Sequence, residues 1–530
     1  MPEYLTPGVY IEEFEIGAKP IEGVSTSTAG FLGETERGPT YPQLVTSFPE
    51  YKRMFGGFFG DTKFLPYAVD GFFGNGGKRC FIARIVDKEG GISAAVTIGS
   101  VEIKAVGEGT WGNRVAFRIK PASTEKTGFR LQLHYWTAAT LPDDPVDPLP
   151  SDATEIINTR DALRQQAQPQ LSEDFDDLVL DEKSPNFIEK RVANGLSNLV
   201  ELTRLAGGTD VPPPGDLAFL EGGEDGDDVD LDDYKGRTEP VPANRQKRSG
   251  LAALREPPFE EIAMIYAPNA FDEDGLPEEL MTHCENNKYC FALLDTPRGL
   301  AQIGGIDPRS GAPPGARSSQ YAAFYYPWIK VFDADSGARK FVPPGGHVAG
   351  IYARTDIERG VFKAPANEIV RGALELEFEV TDGGQAVLNP RGVNAIRAFP
   401  GRGRRVWGAR TLSDNTLWKY VNVRRLFIFI EASIFRGTQW VVFEPNNERL
   451  WGRVKQTITE FLRTQWRQGA LFGATEEEAF FVRVDRSTMT DDDINNGRLI
   501  VVIGIAPVRP AEFVIFRIAQ LTSSATSVQL

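Results

Sequence analysis

Hydrophobic and polar residues recur with different periods along this chain, and the changes of period mark its elements. Short apolar runs bounded by glycine or charged residues predict strands at 29–32 and 80–86, with a helical stretch at 48–55 between them. Residues 101–106 and 114–120 read as two more strands joined by a glycine-rich turn. Residues 261–267, 278–285 and 289–294 read as strand, helix and strand, the succession of a parallel βαβ unit. Further on, 418–436 reads as a largely buried helix stopped by Gly437, although periodicity alone also allows its Phe-Ile run as a strand. Leu450, Val454, Ile458, Phe461 and Leu462 then share one side of a helix from 448 to 468, if successive residues turn by about 100°. On the opposite side gather Arg449, Arg453, Arg463 and Arg467, with only Glu460 among them. Thr475 and Glu478 have capping-box spacing for a short helix, and 498–506 and 513–521 read as closing strands.

Between 140 and 249 the pattern breaks. Proline clusters flank a helical segment near 187–205, and the charge turns strongly acidic, which predicts an insertion or outer domain. The ends differ again. Residues 9–16, containing Val9, Tyr10, Ile11 and Phe14, are strand-like without a local core, and Phe513, Ile515, Phe516 and Ile518 give the other terminus the same character. The reading is a mixed α/β (α+β) multi-domain chain. Its segments are an N-terminal arm (1–20), an α/β and β-rich region (21–120), an acidic insertion (121–249), an α/β region (250–345), a further domain (346–512) and a C-terminal arm (513–530).

At 530 residues the chain exceeds what one hydrophobic core supports, and 34 Phe and 8 Trp supply several. A formal charge of −15 opposes general binding to nucleic acid or anionic membranes. The acidic start lacks the basic and apolar regions of a secretory leader, and no apolar run approaches the ~20 residues that cross a bilayer. Cys80, Cys284 and Cys290 have neither metal-ligand nor thiol-redox spacing and suit a reducing cytoplasm.

Catalytic patterns fail on context. Gly107, Gly109 and Gly112 form GxGxxG after a strand, but a strand rather than a helix follows, so no helix N-terminus faces a pyrophosphate. GNGGK at 74–78 lacks the phosphate-loop spacing. Asp228, Asp230, Asp232 and Glu239 have calcium-loop spacing, but Asp233 occupies the position where the loop needs glycine, which favours a solvated acidic loop. His134, His283 and His347 stand in no catalytic motif. No cofactor, metal or catalytic residue is expected; an enzyme with a dispersed active site and a non-contractile surface-array protein are the rival classes.

A series of segments nonetheless resembles one family in order. They are TPGVYIEE (6–13), FLGETERGP (31–39), FFGNGGKRCFIARI (72–85), GTWGNRV (109–115), AGIYARTDIERGVFKAPAN (349–367), LNPRGVNAIRAFPGRGRRVWGARTLS (388–413), YVNVRRLFIFIEASI (420–434), FEPNNERLW (443–451) and APVRPAEFVIF (506–516). The chain resembles the tail sheath family of contractile phage tails, contractile bacteriocins and contractile injection systems, closely over 1–115 and 321–521 and loosely between. The resemblance implies a non-enzymatic subunit that polymerises helically around an inner tube and contracts from a metastable extended state. It implies that 346–512 forms an inner domain, that the two arms add strands to neighbouring subunits, and that the 448–468 helix lies against the tube. Its implied partners are other sheath subunits, sheath paralogues that could co-assemble, the inner tube protein, and baseplate and terminator or cap proteins. Assembly in the cytoplasm is implied, with no nucleic acid bound and no direct membrane insertion.

Overall fold

A computed structural model describes residues 20–150, 153–193, 196–236, 248–255, 259–310 and 317–517. The short apolar runs become strands because they are covered on both faces. Every residue of Ala29–Gly33, Cys80–Arg84, Met264–Tyr266, Phe291–Asp295 and Ala322–Tyr326 is buried, as expected of parallel strands between helical layers. They form the middle of a nine-stranded sheet. Its order is Glu368–Ile369, Gly403–Val406, Val393–Phe399, Ala322–Tyr326, Phe291–Asp295, Met264–Tyr266, Ala29–Gly33, Cys80–Arg84 and Gln43–Val45. The six inner strands run parallel, and each outer strand pairs antiparallel with its inner neighbour. The Leu276–Asn287 helix joins Met264–Tyr266 to Phe291–Asp295, completing the expected βαβ unit.

The GNGGK segment serves helix packing. It follows the Leu65–Gly74 helix, which lies against Gly345–Arg359 so closely that a Cβ on Gly346 would sit 2.4 Å from the Cα of Ala68. Asn75 fixes the join: its side-chain amide donates to the Arg371 carbonyl at 3.0 Å, and its oxygen accepts the Arg371 N–H at 2.8 Å.

A β-rich unit is inserted between Cys80–Arg84 and Met264–Tyr266. One sheet orders Ala218–Phe219, Val115–Pro121, Phe129–Tyr135 and Leu171–Leu178; another orders Ala95–Ile98, Val101–Ala105 and Val200–Arg204. They enclose a separate core that includes Trp111, Leu131, Leu133, Ile188 and Val200. The helix expected near 187–205 is a single turn, Ile188–Arg191, followed by the Val200–Arg204 strand. Ser197 turns the chain there, its Oγ accepting the N–H groups of Leu199 and Val200, and Val200 and Leu202 then alternate inward with period two. As the GxGxxG argument anticipated, a short 3-10 turn at Thr110–Arg114 leads into the strand Val115–Pro121.

Strand pairing crosses the expected segment boundaries. Val115–Pro121 pairs with Phe129–Tyr135 across 120/121, Ala29–Gly33 pairs with Met264–Tyr266, and Ala322–Tyr326 pairs with Val393–Phe399 across 345/346. Shifts in composition mark insertions, whereas sheets recruit strands regardless of sequence distance.

A third core gathers the helices Val421–Gly437 and Glu448–Arg467 with a two-stranded sheet, Phe480–Arg483 and Val502–Ile505. Ile21 reaches it from the other end of the chain. The expected apolar stripe is buried there as read, joined by Trp451, Thr457 and Gln465. Among tryptophans singled out by the family segments, Trp451 is core, while Trp407 and Trp418 are half-buried.

Candidate assembly surface

The two-stranded sheet pairs Phe480 with Ile505, Phe481 with Gly504, Val482 with Ile503 and Arg483 with Val502. Phe480 and Val482 face the helical core, while Phe481 and Val502 are exposed. Among the described residues no third strand lies on either side of it. Each edge therefore leaves backbone donors and acceptors for another extended chain.

Beyond Ile505 the chain is led away and clamped. Glu512 accepts two hydrogen bonds from Arg410, Nε at 2.7 Å and Nη2 at 2.6 Å, and one each from Asn389 at 2.8 Å, Tyr420 at 3.1 Å and Lys419 at 3.3 Å. Burial alone would raise this carboxyl. The Arg410 and Asn389 hydrogen bonds and the charges of Arg410 and Lys419 overcome it and hold the pKa near about 2. Past the clamp, Phe513, Ile515 and Phe516 are 73%, 78% and 83% exposed. Residues 513–517 form no strand, because strand propensity is realised only against a partner's backbone and no strand among the described residues lies beside them. Ile518 lies outside the described residues, as do Val9, Tyr10, Ile11 and Phe14.

The Glu448–Arg467 helix begins at Asn447, whose Oδ1 accepts the N–H groups of Arg449 and Leu450 at 3.1 Å. Its four arginines divide. Arg449 and Arg467 are exposed; Arg453 is exposed but lies 4.5 Å over the Trp440 ring and 3.7 Å from Glu444. Arg463 is half-buried and held by Glu476, at 2.7 and 3.0 Å, and by Glu460 at 2.5 Å. Those two carboxylates, Glu476 foremost, raise its pKa and match its charge within the chain. Glu476 comes from the neighbouring Glu476–Ala479 helix, a relation that helical periodicity within one element cannot reveal. The capping box expected there does not form: Thr475 is the N-cap but its side chain makes no cap bond, and Glu478 reaches past it to accept the N–H of Ala474.

Arg424 and Arg425 belong to different networks. Arg424 bonds both carboxylate oxygens of Glu431 at 3.0 Å and lies over Trp418 and Tyr321. Arg425 makes a two-pronged pair with Asp356 at 2.9 and 2.6 Å and donates to the carbonyl of Thr26, tying the helix to the start of the described chain. Sequence reading missed Glu512, Glu476 and Asp356, which lie far from their partners or on other elements.

The acidic loop is partly engaged. Asp230 and Asp233 form a reciprocal cap at the Leu231–Lys235 helix, and Asp233 also accepts the N–H of Lys88. Glu239 lies outside the described residues. Among those described, no helix is long and apolar enough to cross a membrane.

Among the described residues, two sheet edges without a strand partner and an exposed apolar segment behind a clamp are the features of an assembling structural class. Comparison with known proteins narrows the class. The phage tail sheath protein central domain matches residues 250–412 and the phage tail sheath C-terminal domain matches 413–520, together half of the chain. The tail sheath protein of Burkholderia phage BcepMu is 29% identical over 194 residues, 34% of this chain and 40% of that protein. The chain spans less than half the length of such curated relatives. Among solved structures, the sheath of an extracellular contractile injection system in its contracted state matches with a TM-score of 0.57 and 26% identity, covering 98% of this chain and 99% of that one. The helical sheath of the anti-feeding prophage, also contracted, gives 0.55 and 24% over 97% and 99%. The chain belongs to the phage tail sheath family.

Proposed function

We propose that this chain is a non-catalytic subunit that polymerises helically around an inner tube by exchanging strands, and that the polymer shortens from a metastable extended state. The observation that carries this reading is the two-stranded sheet, with no further strand on either edge among the described residues, beside a clamped and exposed apolar segment. A strand from one neighbour on each edge would make four strands from two, and the exposed apolar run from Phe513 to Phe516 is long enough to supply one. Main-chain bonds of this kind tolerate rotation of the domains they link, so connections between subunits persist while other contacts reform. No nucleotide is consumed at firing: the extended polymer stores the difference in interface free energy between its two states. The Arg449, Arg453 and Arg467 face is the part offered to the tube. Other copies, sheath paralogues, baseplate proteins and a terminator or cap complete the partners, and assembly takes place in the cytoplasm.

Electron microscopy of the purified chain tests the proposal. Hollow helical tubes are expected, and deletion of 513–530 should give a folded, soluble protein that forms none. Tubes of normal length from the deleted chain would refute strand donation by this arm, and the absence of tubes from the intact chain, alone or with a tube protein, would refute helical polymerisation.

A further inference from the structure

The inner strand Phe291–Asp295 is entered from the Leu276–Asn287 helix through a tight reversal. Lys288 makes it, in the left-handed conformation at φ 62°, with its N–H on the Cys284 carbonyl at 2.8 Å. The reversal brings Cys290, at the threshold of the strand, back onto the last turn of the helix. Its Sγ lies 3.3 Å from the Sγ of Cys284, and both side chains are fully buried. A disulfide needs about 2.05 Å between sulfurs, so the two must close by little more than an ångström.

The two thiols are not equivalent. The hydrogen bond that the two sulfurs share, together with the neighbouring His283 and Asn287 and against the cost of burial, lowers the pKa of Cys290. Burial and the neighbouring sulfur raise Cys284. One sulfur is thus the readier nucleophile and the other keeps its proton, the division of labour of an attacking and a resolving thiol. Cys80, on the strand Cys80–Arg84, is also buried and has no cysteine beside it.

We propose that Cys284 and Cys290 are a redox modification site, at which a small two-electron oxidant, hydrogen peroxide or a disulfide such as oxidised glutathione, joins them in an intramolecular disulfide. With peroxide, the Cys290 thiolate attacks one oxygen and the O–O bond breaks. The departing hydroxide takes up the proton that Cys290 had released, leaving water and a sulfenic acid. The Cys284 sulfur then attacks the sulfenic sulfur, the S–O bond breaks, and a second water leaves with the Cys284 proton. Two thiols lose two electrons and two protons, and peroxide is reduced to two waters. With oxidised glutathione, Cys290 displaces one glutathione thiolate and Cys284 displaces the second from the mixed disulfide. The product staples the end of a covering helix to an inner strand of the nine-stranded sheet, within one subunit.

The intact chain, purified in reductant and exchanged into buffer with hydrogen peroxide or with oxidised glutathione, is denatured in iodoacetamide and mapped by mass spectrometry. Alkylated thiols should fall from three to one, at Cys80, and a 284–290 linked peptide should appear two hydrogens lighter and revert with reductant. In Cys284→Ser the Cys290 thiol should be trapped as a sulfenic acid by dimedone, or as a glutathione adduct. In Cys290→Ser the Cys284 thiol should remain alkylatable. Three alkylatable thiols at a peroxide dose that already oxidises the chain's methionines, equal loss at Cys80, or links only between chains would each overturn the proposal.

Discussion

Replacing Glu512 by glutamine removes one charge from the base of the C-terminal arm and keeps the shape of the side chain. The carboxylate is the common acceptor for Arg410, Asn389, Tyr420 and Lys419, and its pKa stands near about 2 against an ordinary 4.5. At about 1.36 kcal/mol per unit the shift corresponds to roughly 3.4 kcal/mol, and solvent screening of a partly exposed carboxylate reduces this to about 2. Docking of the arm's base should weaken by about 30-fold, since about 1.4 kcal/mol is a factor of ten. The core residues of the helical domain do not depend on Glu512, so the melting temperature should change little. Hydrogen exchange reads the effect directly: amides at 506–512, including Val508 N–H on the Ala470 carbonyl, should exchange faster by about that factor, and tube assembly measured by sedimentation should fall. The same clamp gives a pH dependence. Because the folded pKa is depressed, its contribution is fully present above 4.5 and is lost as pH falls from 4.5 through about 2, and Glu512→Gln should abolish that window. Unchanged exchange at 506–512 in the variant would refute the clamp.

The remaining predictions probe other charges. Asp356→Ala leaves Arg425 buried without its partner and should destabilise the fold by about 3–5 kcal/mol, seen as a lower urea midpoint; the double change Asp356→Leu with Arg425→Met should recover most of it. A loss under about 1 kcal/mol would contradict the pair's assigned role. Changing Arg449, Arg453 and Arg467 together to Glu should leave folded subunits that self-assemble yet fail to dress inner tubes at physiological salt. Arg463 is left in place because Glu460 and Glu476 already match it, and normal extended particles would remove this helix from the tube interface. Chelation of calcium should leave the melting temperature unchanged, since Asp230 and Asp233 are occupied with capping a helix; a large drop with stoichiometric calcium in the untreated protein would revive a metal site.

Local chemistry made much of this protein legible in its residues. The Glu448–Arg467 helix could be read because its determinants lie within one turn of one another: Asn447 as cap, and Leu450, Val454, Ile458 and Phe461 along one side. The parallel unit from Met264 to Asp295 was legible for the same reason, as was the failure of the nucleotide patterns, which depends only on the element that follows them. Sequence also marked 513–521 as strand-forming, but whether a strand exists there depends on an edge that no described strand of this chain provides to 513–517. The nine-stranded sheet was beyond sequence reading, because pairing Ala29–Gly33 with Met264–Tyr266 crosses an inserted unit, and backbone hydrogen bonds carry no side-chain signature of their partner. The 187–205 segment misled in the other direction: its apolar residues suit a helix locally, yet the Ser197 turn and the waiting edge of Val101–Ala105 made a strand of its second half. Charge followed the same division. Composition gave the sign of the whole chain, but tertiary structure alone decided that Glu512 meets Arg410, that Glu476 neutralises Arg463, and that Asp356 lies beneath Arg425, because a salt bridge is fixed by distances of about 3 Å between groups that the chain brings together only on folding.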